Sequence, residues 1–159
     1  MRRTLSSLLL LLLAIGCDRG QHPGSVAKSA PQFVLTDGDQ TIDLSKLRGH
    51  TVLLNFWATN CAPCIEELPS LLALHQKMPD LDIVAISIDD APEAYHRFLL
   101  RHHIDLKTFR DPDDRINALY GTSQIPESYL IDRNGMLRRK FVNAQNWTSP
   151  EIMGYIASL

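Results

Sequence analysis

Apolar residues along the chain gather in short, dense runs separated by polar, turn-forming stretches, and their spacing changes from run to run. Thr51 to Trp57 (TVLLNFW) and Leu81 to Ile88 (LDIVAISI) are nearly continuous in apolar residues, the pattern of strands buried on both faces. Phe33-Val34-Leu35 and Thr41 to Leu44 flank the polar TDGDQ and predict a short hairpin. Helical spacing takes over from Cys61 to about Lys77. It returns over Pro92–His103, where Ala94, Phe98 and Leu99 fall at helical intervals, and over Asp113–Tyr120. Ser128–Asp132 and Met136–Val142 read as strands joined through Arg133-Asn134-Gly135, whose Asn-Gly pair marks a tight turn. Ser149 to Leu159 closes the chain as a helix, with Ser149 as its cap and Pro150 in its first turn. This order predicts an α/β fold, a mixed central sheet with helices on both faces and an extra hairpin at its N-terminal end.

The first segment follows a different rule. MRRTLSSLLLLLLAIGC has two arginines, an apolar run from Leu8 to Ile15, and small Gly16 before Cys17, the layout of an export signal. The run is shorter than the roughly 20 apolar residues that span a bilayer. LAIGC resembles a bacterial lipobox, with Ala14 where such boxes favour leucine; on that resemblance Cys17 carries lipid and begins the mature protein. The alternative is a plain secretory signal. Residues 18–30 (DRGQHPGSVAKSA) are small and polar without periodicity, as in a flexible tether. The expected organisation is therefore a signal peptide over 1–16, a lipidated Cys17 with tether over 17–30, and one domain over 31–159.

Composition adds mainly exclusions. The 159 residues suit one domain. A net charge of -2, moving to -4 once residues 1–16 are removed, offers no basic surface for nucleic acid. Three cysteines are present, Cys17, Cys61 and Cys64. With Cys17 lipidated, one pair remains, in a compartment that permits disulfides.

That pair sits in NFWATNCAPCIEELP, three positions apart at the start of a predicted helix. Such cysteines lie close enough to join, and a helix N-terminus offers free N–H groups and partial positive charge that stabilise a thiolate at Cys61. Cys61 would attack a disulfide and Cys64 would resolve the mixed disulfide. Pro63 suits the first turn. A zinc site needs two further ligands, and the histidines at 22, 50, 75, 96, 102 and 103 are scattered; no metal or other cofactor is expected. A peroxide-reducing thiol is disfavoured because Thr59 stands two residues before Cys61 rather than three.

The same segment resembles the active-site stretch of thioredoxin-like proteins of the TlpA, ResA and DsbE kind, within the redoxin/AhpC-TSA-like superfamily. SQIPESYLIDRNG at 123–135 is similar to their second signature. The resemblance covers residues 31–159 and implies a thioredoxin-like three-layer sandwich. It further implies an exposed nucleophile at Cys61, a more buried resolving thiol at Cys64, a cis-proline at Pro126 facing the dithiol, and backbone hydrogen bonds from Ile125 to an extended substrate. Asp90 matches the place where relatives carry an acid near the dithiol; Asp89 and Asp90 read equally well as solvated loop residues, one capping the next helix. The activity implied is thiol-disulfide exchange outside the cytoplasmic membrane, on disulfide-bearing or dithiol protein substrates. Reduction is the implied direction, with a membrane thiol electron donor and apocytochrome c among the substrates. A general oxidant or isomerase, and a copper-binding chaperone of the same fold, are the alternatives.

The remaining readings are structural. Trp57 is expected to shield the dithiol and Pro69 to kink its helix. Glu66 and Glu67 read as a solvated helix face, Glu127 as surface charge, and DPDD at 111–114 as a loop ending in a helix cap rather than a calcium site. Asn60 stands where relatives carry tryptophan. Its side chain is placed to cap the helix and compete for the N–H groups, which predicts a less acidic Cys61 than in an Asn60→Trp variant.

Overall fold

The computed structural model describes residues 28–89 and 91–159. The signal segment, Cys17, most of the tether and Asp90 lie outside the described residues. Strands β1 (Lys28–Ser29), β8 (Met136–Val142), β7 (Glu127–Ile131), β4 (Thr51–Trp57), β5 (Leu81–Ser87) and β6 (Lys107–Arg110) form one six-stranded sheet in that order. β4, β5 and β6 run parallel, while β7 is antiparallel to β4, β8 to β7 and β1 to β8. Strands β2 (Val34–Asp37) and β3 (Gln40–Asp43) form the separate hairpin, turning at Gly38, whose φ of +60° favours glycine. A short 3-10 turn follows at Leu44–Leu47. Helices α1 (Ala62–Lys77), α2 (Pro92–Arg101), α3 (Arg115–Tyr120) and α4 (Pro150–Ala157) complete the chain.

Alternation along the strands sorts the core onto two faces. Val52, Leu54 and Phe56 of β4 meet Val84 and Ile86 of β5 under the hairpin and α3. Leu53 and Ile83 meet Leu71 and Leu74 of α1 and Ile152 and Ile156 of α4. Trp57, Ala85 and Cys64 join Tyr95 and Phe98 of α2 at the upper end of that second face. β4 is buried at all seven positions, as its nearly continuous apolar run predicts. Ser149 accepts the Ile152 N–H as the cap of α4, and Asp111, only 1% exposed, accepts the Ile116 N–H at the start of α3.

Two elements depart from the sequence reading. Lys28 and Ser29 pair with Leu137 and Met136, and Ala30 donates to the Gly135 carbonyl, so ordered structure begins inside the stretch expected to be tether. β6 was not expected at all, because KTFR buries only Phe109. Pro69 sits inside α1, which runs on through it, and its ring faces solvent.

Candidate functional site

Cys61 and Cys64 form a disulfide at the C-terminal end of β4, with their Cα atoms 5.2 Å apart. Central parallel strands bring ligand-facing loops to this end of an α/β sheet. Cys61 is the N-cap of α1: its backbone is extended and its Sγ accepts the Cys64 N–H at 3.2 Å. In the reduced protein this same N–H and the helix dipole stabilise a Cys61 thiolate. Pro63 occupies the first turn, where its missing N–H costs nothing. Cys61 is half-buried and Cys64 buried at 4% exposure, so Cys61 carries the more accessible of the two sulfurs. Trp57 packs with Cys64, Leu68, Tyr95 and Phe98.

The capping expectation for Asn60 is overturned. Asn60 is exposed and the cap is the cysteine sulfur itself, so the asparagine does not compete for the N–H groups. Asn60→Ala should therefore leave the Cys61 titration within about 0.3 pH units of wild type, measured by pH-dependent alkylation of the reduced protein. A larger shift would restore Asn60 as a tuning residue.

Opposite the dithiol stands the loop before β7. The Ile125-Pro126 bond is cis, and the Ile125 carbonyl lies 3.7 Å from Cys61 Sγ. The Pro126 carbonyl accepts the Asn143 N–H at 3.0 Å. On the other flank, Thr59 donates its N–H and hydroxyl to Asp89 at 2.8 and 2.6 Å, and Ser87 bonds both the Asp89 carboxylate and its N–H. Asp89 thus fixes the turn that leads into Cys61. It does not cap α2, whose N-cap Ala91 has no side-chain bond.

Two buried acids flank the dithiol on opposite faces of the sheet, and both correct the sequence reading. Glu67 is not on a solvated face: it is 3% exposed, and only Glu66 faces water. It accepts hydrogen bonds from Asn55 Nδ2 at 2.9 Å, the Gln145 N–H at 3.0 Å and Trp147 Nε1 at 3.1 Å. Burial pushes its carboxyl above the usual range, and those three donors oppose the rise. Glu67 and Cys64 line one small cavity of about 10 Å³, with Asn55 and Trp57 in its wall. That is room for a single water molecule. Helical counting carried the signal, since Glu67 falls between Cys64 and Leu71 on the buried face.

Glu127 is likewise no surface charge, at 1% exposure. Its Oε1 meets Lys140 Nζ at 2.9 Å and the Tyr129 hydroxyl, while Oε2 is buried without a partner among the described residues. Burial, with Glu127 alongside, holds the Tyr129 phenol above its ordinary range and so keeps its proton in place. Here the period of two was the missed signal, because Glu127, Tyr129 and Ile131 share a face.

Among the described residues, no group of three His, Cys, Asp or Glu side chains is placed to hold a metal ion, and no helix is long and apolar enough to cross a membrane. The AhpC/TSA family model matches residues 26–140. Thiol-disulfide oxidoreductase ResA of Bacillus subtilis is 33% identical over 137 residues, covering 80% of this chain and 76% of the relative. ResA of Bacillus anthracis is 31% identical over 137 residues, covering 84% and 78%. A Chlorobium tepidum structure assigned as thiol:disulfide interchange protein DsbE is similar with a TM-score of 0.77 at 28% identity, covering 83% of this chain and 95% of that one. A secreted Mycobacterium tuberculosis disulfide oxidoreductase, described as homologous to E. coli DsbE, gives 0.70 at 25% identity, covering 80% and 96%.

Proposed function

Because the chain belongs to the AhpC/TSA family, among the thioredoxin-like thiol-disulfide oxidoreductases of the TlpA, ResA and DsbE kind, we propose that it reduces protein disulfides outside the cytoplasmic membrane. The observation that carries this reading is the Cys61–Cys64 disulfide at a helix N-terminus, its outer sulfur facing the Ile125 carbonyl beside Pro126.

In the working direction the dithiol form meets a substrate disulfide. The Cys61 thiolate attacks one substrate sulfur, forming a mixed disulfide and releasing the other as a thiolate that takes a proton from solvent. Cys64 then gives its proton to the Glu67 carboxylate across their shared cavity and attacks Cys61 Sγ. The Cys61–Cys64 disulfide forms, the mixed disulfide breaks, and the second substrate thiolate leaves. Two electrons have passed from enzyme to substrate. A burial-raised carboxyl suits this exchange, since its proton affinity moves toward that of a thiol. The backbone of Ile125 is positioned to bond an extended substrate chain.

The oxidised enzyme requires a thiol donor, which we place in the membrane. Lipid on Cys17, supported by LAIGC at the end of the apolar leader, would hold the domain beside that donor. Oxidised apocytochrome c, whose cysteines must be free before haem attachment, is the substrate we favour from the ResA and DsbE likeness. No cofactor takes part in this scheme.

The test is a Cys64→Ser variant expressed in its own membrane setting. Cys61 should then retain its substrate as a mixed disulfide, recoverable by nonreducing electrophoresis and identifiable by mass. No captured protein, with Cys61→Ser giving the same pattern, would overturn the assignment.

A further inference from the structure

Glu67 belongs to α1, yet two of its three hydrogen bonds come from the segment between β8 and α4. The Gln145 N–H and Trp147 Nε1 both donate to Oε2, leaving Oε1 to Asn55 of β4. Asn143 of the same segment donates its N–H to the Pro126 carbonyl and accepts Gln124 Nε2 at 2.9 Å. Ser70 of α1 ties the segment down, contacting the Gln145 carbonyl and accepting the Trp147 N–H. Trp147 is fully buried, its ring edge-on to Phe141 with centroids 5.0 Å apart.

We propose that residues 143–147 are a positioning strap for the dithiol site: Trp147 and the Gln145 amide hold the Glu67 carboxylate on the Cys64 cavity while Asn143 holds the Pro126 carbonyl. One short segment thereby sets both the proton acceptor and the loop that meets substrate. The inference rests on Glu67 acting as the proton acceptor for Cys64, and it adds what keeps that acceptor in its working state.

The argument is one of donors. A carboxylate only accepts, and a buried one is stable in proportion to the N–H groups aimed at it. Among the described residues, no other charged side chain lines the cavity to do this instead. β4 presents Asn55, β5 Ala85, β6 Thr108 and β7 Ser128, and the strap presents Gln145 and Trp147. Of the residues lining the cavity, only Cys64 titrates besides Glu67 itself. Glu66, next along the helix, is in water. Removing the indole N–H therefore favours the protonated acid, and a protonated Glu67 cannot take the Cys64 proton.

The experiment follows the second of the two thiolate releases when the reduced whole protein meets dithiobis-nitrobenzoate, since Cys64 performs that step. Trp147→Phe keeps a buried ring on Phe141 and deletes the N–H. Its acid limb should move to higher pH by on the order of one unit, the weight of one charge-assisted hydrogen bond, with the plateau rate nearly unchanged. In the wild-type protein, the Trp147 indole N–H resonance should follow the same titration and go flat in Glu67→Gln. A rate lowered equally at every pH in Trp147→Phe, or a flat wild-type indole resonance, would reduce the strap to a structural role and overturn the proposal. If Trp147→Phe does not fold, the wild-type resonance decides alone. If Glu67→Gln keeps its acid limb, the fault lies instead with Glu67 as acceptor, and the strap proposal falls with it.

Discussion

Cys61→Ser is expected to bring disulfide exchange down to the level of buffer, a loss on the order of a thousandfold or more. The attacking species is a thiolate, and its formation at position 61 is favoured by the Cys64 N–H and the α1 N-terminus. A serine hydroxyl in the same place does not ionise near neutral pH and forms no stable bond to sulfur. The fold should hardly notice, because serine is a good helix cap and its oxygen can accept the N–H that the sulfur accepts now. Reduction of insulin disulfides, run beside a thermal melt, separates the two effects: activity vanishes while the melting temperature stays. Retention of a tenth of the wild-type rate would mean that Cys64 reaches substrate directly, which its 4% exposure argues against.

Lys140→Met should be strongly destabilising although it lies away from the dithiol. Lys140 is the cation against Glu127, a carboxylate 1% exposed with one oxygen already unpartnered. Methionine keeps the chain length and removes the charge, leaving the acid buried with the Tyr129 hydroxyl alone. The expected cost is about 3 kcal/mol, the low end for a broken buried pair because Lys140 keeps partial access to water. That corresponds to roughly 10 °C in melting temperature. Glu127→Gln added to Lys140→Met should recover most of the loss, since the two sites are one interaction. The sign with pH also follows. Burial pulls the Lys140 ammonium down, but bonds to Glu127 and Tyr129 outweigh it and hold the group above its ordinary value. Its contribution is thus whole below about pH 10 and is lost as pH climbs through the folded value. A Lys140→Met protein within 0.5 kcal/mol of wild type by denaturant unfolding would show that Glu127 finds another partner.

The parts of this architecture that were legible in the sequence are those where burial is uniform. TVLLNFW and LDIVAIS are mostly apolar with several β-branched residues, and both lie inside the sheet. MLRRKFV was bounded to the residue because an Asn-Gly turn pins one end. β6 escaped because an edge strand buries one side chain in four and so shows almost no apolar pattern. The acids escaped for a different reason. Glu67 and Glu127 have ordinary carboxylate sequences around them, and their burial depends on donors far away in the chain, Gln145 and Trp147 for one and Lys140 for the other. Periodicity marks their faces, but only tertiary contacts reveal that those faces are provisioned to accept a charge.

The pairing of β4 with β7 sets Phe56 opposite Glu127 and Asn55 opposite Ser128, along a ladder five residues long. Its consequence is a mechanical tolerance. Cys61 and Ile125 are 64 positions apart in the chain, yet sulfur and carbonyl stand 3.7 Å from each other, and this ladder is one of the links that hold them there. One notch of slippage moves a strand by about 3.4 Å and turns each side chain to the opposite face. Such a slip would carry the Ile125 carbonyl out of reach of the sulfur, and it would part Asn55 from Ser128 in the same motion. The sheet is therefore the gauge block of the site, and the Asn55 amide bonded to the Ser128 hydroxyl across that ladder marks the one setting that fits.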